Sequence, residues 1–315
     1  VGREEPGEGL DIAAGYASSH GRDGREQLHR EGDEEERAQR VVERVSNFRV
    51  IAIDQRGHGL SDKPHAVEAY GTQMCEDVVR LILDGTVVRA RIDRKSTSIS
   101  LLVVLGIRRD GQKVLLAIKE MGGESEAAWR AVLDDLTKRG LQQPELAIVD
   151  GAPGLEKALV SLWSDLPIQR CTVHKLRNLV AHAPKKFADE IAADYSDMIY
   201  AEDAASVSKK RKGFLRKWRE KCEGVATSLE EAGDRLFTFT RLPVEQWKSA
   251  RTTNAIERLH EEFKRRIKTQ TMLPSEKTAA MLFWALLAAG QITLRKVDGW
   301  KSLATPIAEP IDLAA

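Results

Sequence analysis

Cysteine is scarce in this 315-residue chain: there are only three, Cys75, Cys171 and Cys222, widely spaced. Such a set builds no disulfide framework and fits a reducing compartment. No stretch approaches the ~20 consecutive apolar residues needed to cross a bilayer. The acidic, glycine-rich N-terminus also lacks the basic and then apolar start of a signal peptide. The expectation is a cytoplasmic protein with no membrane partner. Charge of one sign is missing too, since 49 Lys and Arg against 48 Asp and Glu leave a net charge of +1. Any nucleic-acid surface must therefore come from local clustering. What the chain does have is 42% hydrophobic residues, enough to fill the core of one large or two ordinary domains.

Residues 1–46 carry glycines and an EGDEEERAQR block but few apolar residues at any regular period, so they are expected to stay disordered. A helix over Glu34 to Val45 is the alternative, on Val41, Val42 and Val45 at helical spacing. Residues 47–82 read differently. VIAID suits a buried strand, RGHGLSDKP a loop, and YGTQMCEDVVRLIL a helix that includes a buried Cys75. This stretch resembles the α/β-hydrolase family at an Asp-x-Arg-Gly-x-Gly-x-Ser strand end. That family's nucleophile elbow, Gly-x-Ser-x-Gly, is missing downstream of residue 83, so the resemblance implies a fragment without hydrolase chemistry.

From Leu83 the pattern changes. LDGTVVRARI, STSISLLVVLGI and KVLLAIKE read as three strands of an antiparallel meander. EAAWRAVLDDLTKRG reads as a helix, with Ala128, Val132, Leu133 and Leu136 on one face and Gly140 as its stop. ELAIVDG is a buried strand, GLEKALVSLW a helix and PIQRCTV a further strand. The order β-β-β-α-β-α-β is that of an RNase H-like mixed sheet.

Three acids stand at telling places in this frame. Asp84 lies on the first strand and Asp150 ends the fourth; in an RNase H-like sheet these strands are neighbours, so the two carboxylates meet at one edge. Glu257 lies in TTNAIERLHEEFKRR, a helix whose apolar face is Ile256, Leu259 and Phe263 and whose cap is Thr252 or Thr253. Three close carboxylates repel one another and stay ionised together only beside divalent cations. Oxygen-only ligands favour Mg²⁺ or Mn²⁺. A pair of such ions ~4 Å apart activates an attacking water or 3′-hydroxyl and stabilises the leaving oxygen. Against this stands a plainer reading, in which each Asp-Gly is a structural turn.

The segments LDG, VDGAPGL, QRCTVHKLRN and TTNAIERLHEEFKRR, in that order over residues 83–306, resemble the catalytic part of bacterial insertion-sequence transposases of the Mutator-like DDE type. The resemblance implies a catalytic, metal-holding triad of Asp84, Asp150 and Glu257 with two Mg²⁺ or Mn²⁺ ions. It implies cleavage and transfer of DNA strands at transposon ends and target, a homodimer or larger synaptic complex, and a place in the bacterial cytoplasm at the nucleoid. Cys171-x₂-His174 also belongs to the family pattern. A zinc site there needs two more ligands, for which Cys222 and His182 are the nearby candidates, and a structural or supporting role for Cys171, His174 and Asn254 is the expectation.

Residues 175–245 read as a charged helical insertion. Within it KKRKGFLRKWREK either contacts nucleic acid through its cations, Phe214 and Trp218, or buries those aromatics and leaves the lysines solvated. Arg251, Arg258, Lys264, Arg265, Arg266 and Lys268 surround the helix of Glu257 and are the stronger DNA-binding candidates. Relatives of this type carry an N-terminal helix-turn-helix region. Residues before 83 do not read that way, which leads to the expectation of a truncated transposase piece joined to a hydrolase fragment, with 307–315 as a tail. The alternative to an active enzyme is an inactive remnant that binds DNA or an intact transposase.

Overall fold

The burial of the first strand explains much of the architecture. In the computed structural model, which describes residues 75, 77–270 and 272–309, strand β1 spans Val78–Ile92. Its residues are buried without interruption from Val78 to Asp84 and then alternate between buried and exposed. The first half is therefore covered on both faces and the second half on one. The same fact corrects the sequence reading. VVRLIL is not the end of a helix, because a strand buried on both faces is apolar at successive positions and imitates helical periodicity over a short run. Cys75 is buried as expected, but in a turn leading into β1 rather than in a helix. The segments read as disordered (1–46), as a helix over 34–45 and as a hydrolase-like strand and loop lie outside the described residues, as does the end of the tail.

β1 pairs antiparallel with β2 (Lys95–Arg108), which pairs antiparallel with β3 (Lys113–Glu120). On its other side β1 runs parallel to β4 (Leu146–Val149), and β4 to β5 (Ile168–Arg170). The sheet order is β3-β2-β1-β4-β5, so the first and fourth strands are neighbours, as the RNase H-like reading requires. Helix α1 (Glu126–Lys138) joins β3 to β4, capped by the Ser125 hydroxyl and ended at Gly140 with φ +93°. Helix α2 (Pro153–Leu162) joins β4 to β5. Both lie on one face, where Trp129, Leu133, Leu155 and Leu159 pack on Leu81 and Leu83. PIQRCTV is only partly strand: it stops at Arg170, and Cys171 caps helix α3 (Thr172–Ala181).

The insertion is helical throughout its regular elements: α4 (Ala188–Ile199), α5 (Ala204–Lys221), α6 (Glu223–Ala232) and α7 (Val244–Ala250). It decides between the two readings of KKRKGFLRKWREK. Phe214 and Trp218 are buried among Phe187 and Tyr195. Lys210, Lys217, Arg219 and Lys221 are ion-paired to Asp197, Glu190, Asp194 and Glu230. The aromatics belong to the core, and the indole nitrogen of Trp218 donates to Asp194 at 3.0 Å. Trp218→Ala is accordingly expected to cost about 3–5 kcal/mol of unfolding free energy, read from urea titration. A loss below about 1 kcal/mol would contradict this packing.

Helix α8 (Asn254–Ile267) returns to the sheet and α9 (Glu276–Ala288) follows it. Ile256, Leu259 and Phe263 join Ile82, Val88 and Ala90 in a core on the second face of β1, and Phe263 stacks on Phe283 at 4.0 Å between centroids. Among the described residues no helix is long and apolar enough to cross a membrane.

Candidate active site

Strand register brings the first two acids together. β4 ends with Val149 paired to Leu83, so Asp150, the first residue past β4, follows at the level of Asp84 on β1. Asp84 sits in mid-strand opposite Val103 and is 8% exposed. The turn reading of its Asp-Gly pair is therefore wrong. The Glu124 carboxylate lies close against the backbone at Gly85, in space that a Cβ there would share. The second Asp-Gly does end a strand: Gly151 has φ +101°, and the Asp150 carboxylate accepts from the Ala152 amide at 2.9 Å.

Burial pushes the Asp84 carboxyl up to about 7, with the negative charge of Asp150 next in importance; Glu124 and Glu257 add to the effect and His174 opposes it. Glu124 is itself raised, by burial and then by Asp150. A fourth acid thus shares the electrostatics of the site. Nothing in its local sequence, GGESE, marks it, because it is brought in by the loop between β3 and α1.

Helix α8 supplies Glu257 in its first turn. Thr253 stands at the cap position as expected, but its hydroxyl makes no capping bond; it donates to the Glu257 carboxylate at 2.9 Å and lies 3.4 Å from Nδ1 of His174. The Thr253 amide and hydroxyl also lie 3.4 and 3.3 Å from Sγ of Cys171. His174 Nδ1 is 3.7 Å and an Arg177 nitrogen 3.9 Å from Glu257. Ligand atoms of Cys171, His174 and Glu257 all lie within 4.8 Å of one another, a group to which Asp84 and Asp150 do not belong. Burial would raise the Cys171 thiol, yet hydrogen bonding with His174 and Thr253 outweighs it and holds the thiol below its ordinary value. The bond to Cys171 in turn raises His174. Cys222 Sγ contacts the backbone carbonyl of His182 at 3.6 Å, and neither of these two candidate extra zinc ligands belongs to the group of Cys171, His174 and Glu257.

His260, one turn beyond Glu257, was not marked by sequence. It is 3% exposed, and its Nδ1 is 3.5 Å from Asp84 Oδ2. Burial, with Lys264 adding, depresses it to about 3, so the contact is between a neutral imidazole and a carboxyl group. Its helical spacing from Ile256, Leu259 and Phe263 makes it look like one more core position.

The expected DNA-contacting cations are spread along and before α8. Arg251 is engaged, lying 4.0 Å over the Tyr200 ring and donating to the Ile199 carbonyl. Lys264 pairs with Glu261, Arg265 with Glu262, and Arg266 with Gln291 and Glu262. Arg258 and Lys268 are exposed and have no ion-pair partner among the described residues. Asn254 begins α8 with an exposed side chain that makes no hydrogen bond among the described residues.

The profile of the family "Transposase, Mutator family" matches residues 60–293, which includes all of these elements up to the residues beyond α9. The chain belongs to the Mutator family of transposases. That match begins inside the stretch that resembled a hydrolase. Among curated relatives, the transposase of insertion element ISRM5 from Rhizobium meliloti (strain 1021) is 30% identical over 79% of this chain and 66% of that protein. The transposase of element IS6120 from Mycolicibacterium smegmatis is 33% identical over 70% of this chain and 68% of that protein. The chain spans about half to two thirds of the relatives it matches, 50% in the case of the Lactococcus lactis element IS905. Among solved structures, the catalytic domain of Mos1 mariner transposase is similar over 70% of this chain and 95% of that one, at 11% identity and a TM-score of 0.23.

Proposed function

We propose that this Mutator-family chain is a metal-dependent DNA transposase, with Asp84, Asp150 and Glu257 as its catalytic acids. One observation carries the reading: Leu83 pairs with Val149, so Asp84 and Asp150 follow at the same level, and burial, with the charge of Asp150 next, pushes the Asp84 carboxyl to about 7. A carboxyl in that state is half protonated at neutral pH unless a cation offsets its neighbours. The oxygen donors of Asp84 and Asp150 suit a hard ion such as Mg²⁺ or Mn²⁺. The sulfur of Cys171 does not, and it is already hydrogen-bonded to Thr253.

The chain's own residues divide the work. Asp84 and Asp150 would hold the cation, which when bound activates the attacking oxygen and stabilises the leaving one. Thr253, with Cys171 and His174 behind it, holds the Glu257 carboxylate at the start of α8, and His260 abuts Asp84 from the same helix. Arg177, Arg258 and Lys268 lie on or near the helices that border the acids and supply positive charge for a phosphate backbone. We further infer assembly into a dimer or larger synaptic complex, in which two DNA ends are held together.

The test is nicking of an end-labelled duplex that carries the inverted repeats of the element, with Mg²⁺ or Mn²⁺. Nicking that EDTA abolishes and either ion restores is the expected result. A chain that binds this duplex but never cuts it under any divalent ion would instead be the inactive remnant.

A further inference from the structure

Beyond Asp84, strands β1 and β2 continue as a two-stranded arm. β3 leaves β2 at Leu101, which pairs with Glu120, and β4 leaves β1 at Leu83. The arm's inner face is fixed to the body: Val88, Ala90 and Ile99 are buried in the core with Phe263 and Ile267, and the Leu273 amide donates to the Arg91 carbonyl at 2.8 Å. Its outer face is uncovered. There Val87, Arg89 and Arg91 stand opposite Ser100, Ser98 and Ser96, and the turn adds Arg94. Asp93 and Arg94 both have positive φ, 48° and 63°, which closes a tight two-residue turn.

We propose that the outer face of this arm is a docking surface for the backbone of duplex DNA flanking the reacting bond. The inference rests on the transposase reading. Charge complementarity is the first support. The side chains of Arg89, Arg91 and Arg94 are exposed and make no ion pair or hydrogen bond among the described residues, with Asp93 the one acid on the arm. The cations of α5 show the contrast, since four of them are neutralised by neighbouring helices. Solubility alone is served by mixed signs, whereas a run of one sign on a rigid support makes a local field that attracts phosphates.

Shape and chemistry select the occupant. A two-stranded ribbon fits against a DNA groove, and serine hydroxyls and arginine guanidinium groups are the usual partners of phosphate oxygens. No aromatic side chain stands on the outer face, so there is nothing on which unstacked bases would rest, and a single strand is the poorer fit. At about 3.3 Å per residue, Arg89 and Arg91 lie roughly 17 and 23 Å from Asp84 along β1. They also project from the face of the strand opposite to its carboxylate. The DNA they hold is therefore outside the reacting phosphodiester, about half a helical turn or more away.

The test uses the full chain and measures duplex affinity against salt for a short duplex, ending about 5 base pairs beyond the nick, and a long one extending about 20. For Arg89→Ala/Arg91→Ala we expect the salt slope on the long duplex to fall by about 2, as two phosphate contacts are lost. Affinity for the short duplex and the nicking rate on it should stay within twofold of the native chain. A control, Lys138→Ala/Lys157→Ala, removes two exposed cations from α1 and α2. An equal slope change in the control, or no change in the arm variant, overturns the proposal, as does tighter binding to single strands than to duplex. A native chain that nicks normally while the arm variant behaves identically defeats this inference alone. A native chain that neither binds nor nicks defeats the transposase reading and this inference with it.

Discussion

Asp150→Ala is expected to lower metal-dependent nicking by at least about 10²–10³-fold, the scale of loss when one preorganised electrostatic group is taken from a reaction centre. The residue sits one step past the end of β4, and among the described residues its carboxylate makes one hydrogen bond, to the Ala152 amide at 2.9 Å. Removing it leaves the β1 and β4 pairing and the apolar layers around them intact. Single-turnover cleavage, duplex affinity at fixed salt and thermal midpoint should therefore separate: the first collapses and the other two hardly move. Cleavage within a few-fold of the native chain would remove Asp150 from the chemistry, and with it the triad.

The second large effect is on stability and has a definite sign. The Asp84 carboxyl is held at about 7, above the ordinary value of 3.8 that it regains on unfolding. Between those values the folded chain binds more protons than the unfolded one, so the metal-free protein loses stability as pH rises from about 4 to 7. Three units correspond to up to about 4 kcal/mol. Asp84→Asn keeps the shape and cannot ionise. In EDTA at pH 8 it is expected to be more stable than the native chain by as much as that, and at pH 4 nearly equal to it. Denaturant titrations at the two pH values check this, and a difference that does not depend on pH would show that Asp84 ionises freely. Added Mg²⁺ should narrow the gap at pH 8 by stabilising the native chain and not the variant.

Both effects depend on features that were only partly visible in the amino-acid sequence. The strand and helix order was legible because each element from Leu83 to Arg170 has a clear period and a turn or cap at its ends. Asp84, Asp150 and the helix of Glu257 could be placed from that order. The start of β1 was not legible: VVRLIL is apolar at every position but one, and a strand enclosed on both faces leaves no alternation to detect. Gly85 looked like half of a turn, whereas it lies inside β1 with the Glu124 side chain from another loop against it. Glu124 and His260 were missed for the same reason. Their meaning lies in what they face across elements, and a polar residue at a core spacing or in a loop carries no mark of that. The aromatics of α5 could be assigned only once their acidic neighbours on α4 were known.

The helical segment between β5 and α8 leaves the sheet and comes back to the point of departure. Thr172 bonds through its amide and hydroxyl to the Arg251 carbonyl at 3.0 and 3.1 Å, and Cys171 meets Thr253. Its two ends are thus clasped together, and one of the closing residues, Thr253, is the one whose hydroxyl donates to the Glu257 carboxylate. A module attached in this way can be lengthened, shortened or exchanged at its far end at small entropic cost, while the carboxylate it delivers stays where it is.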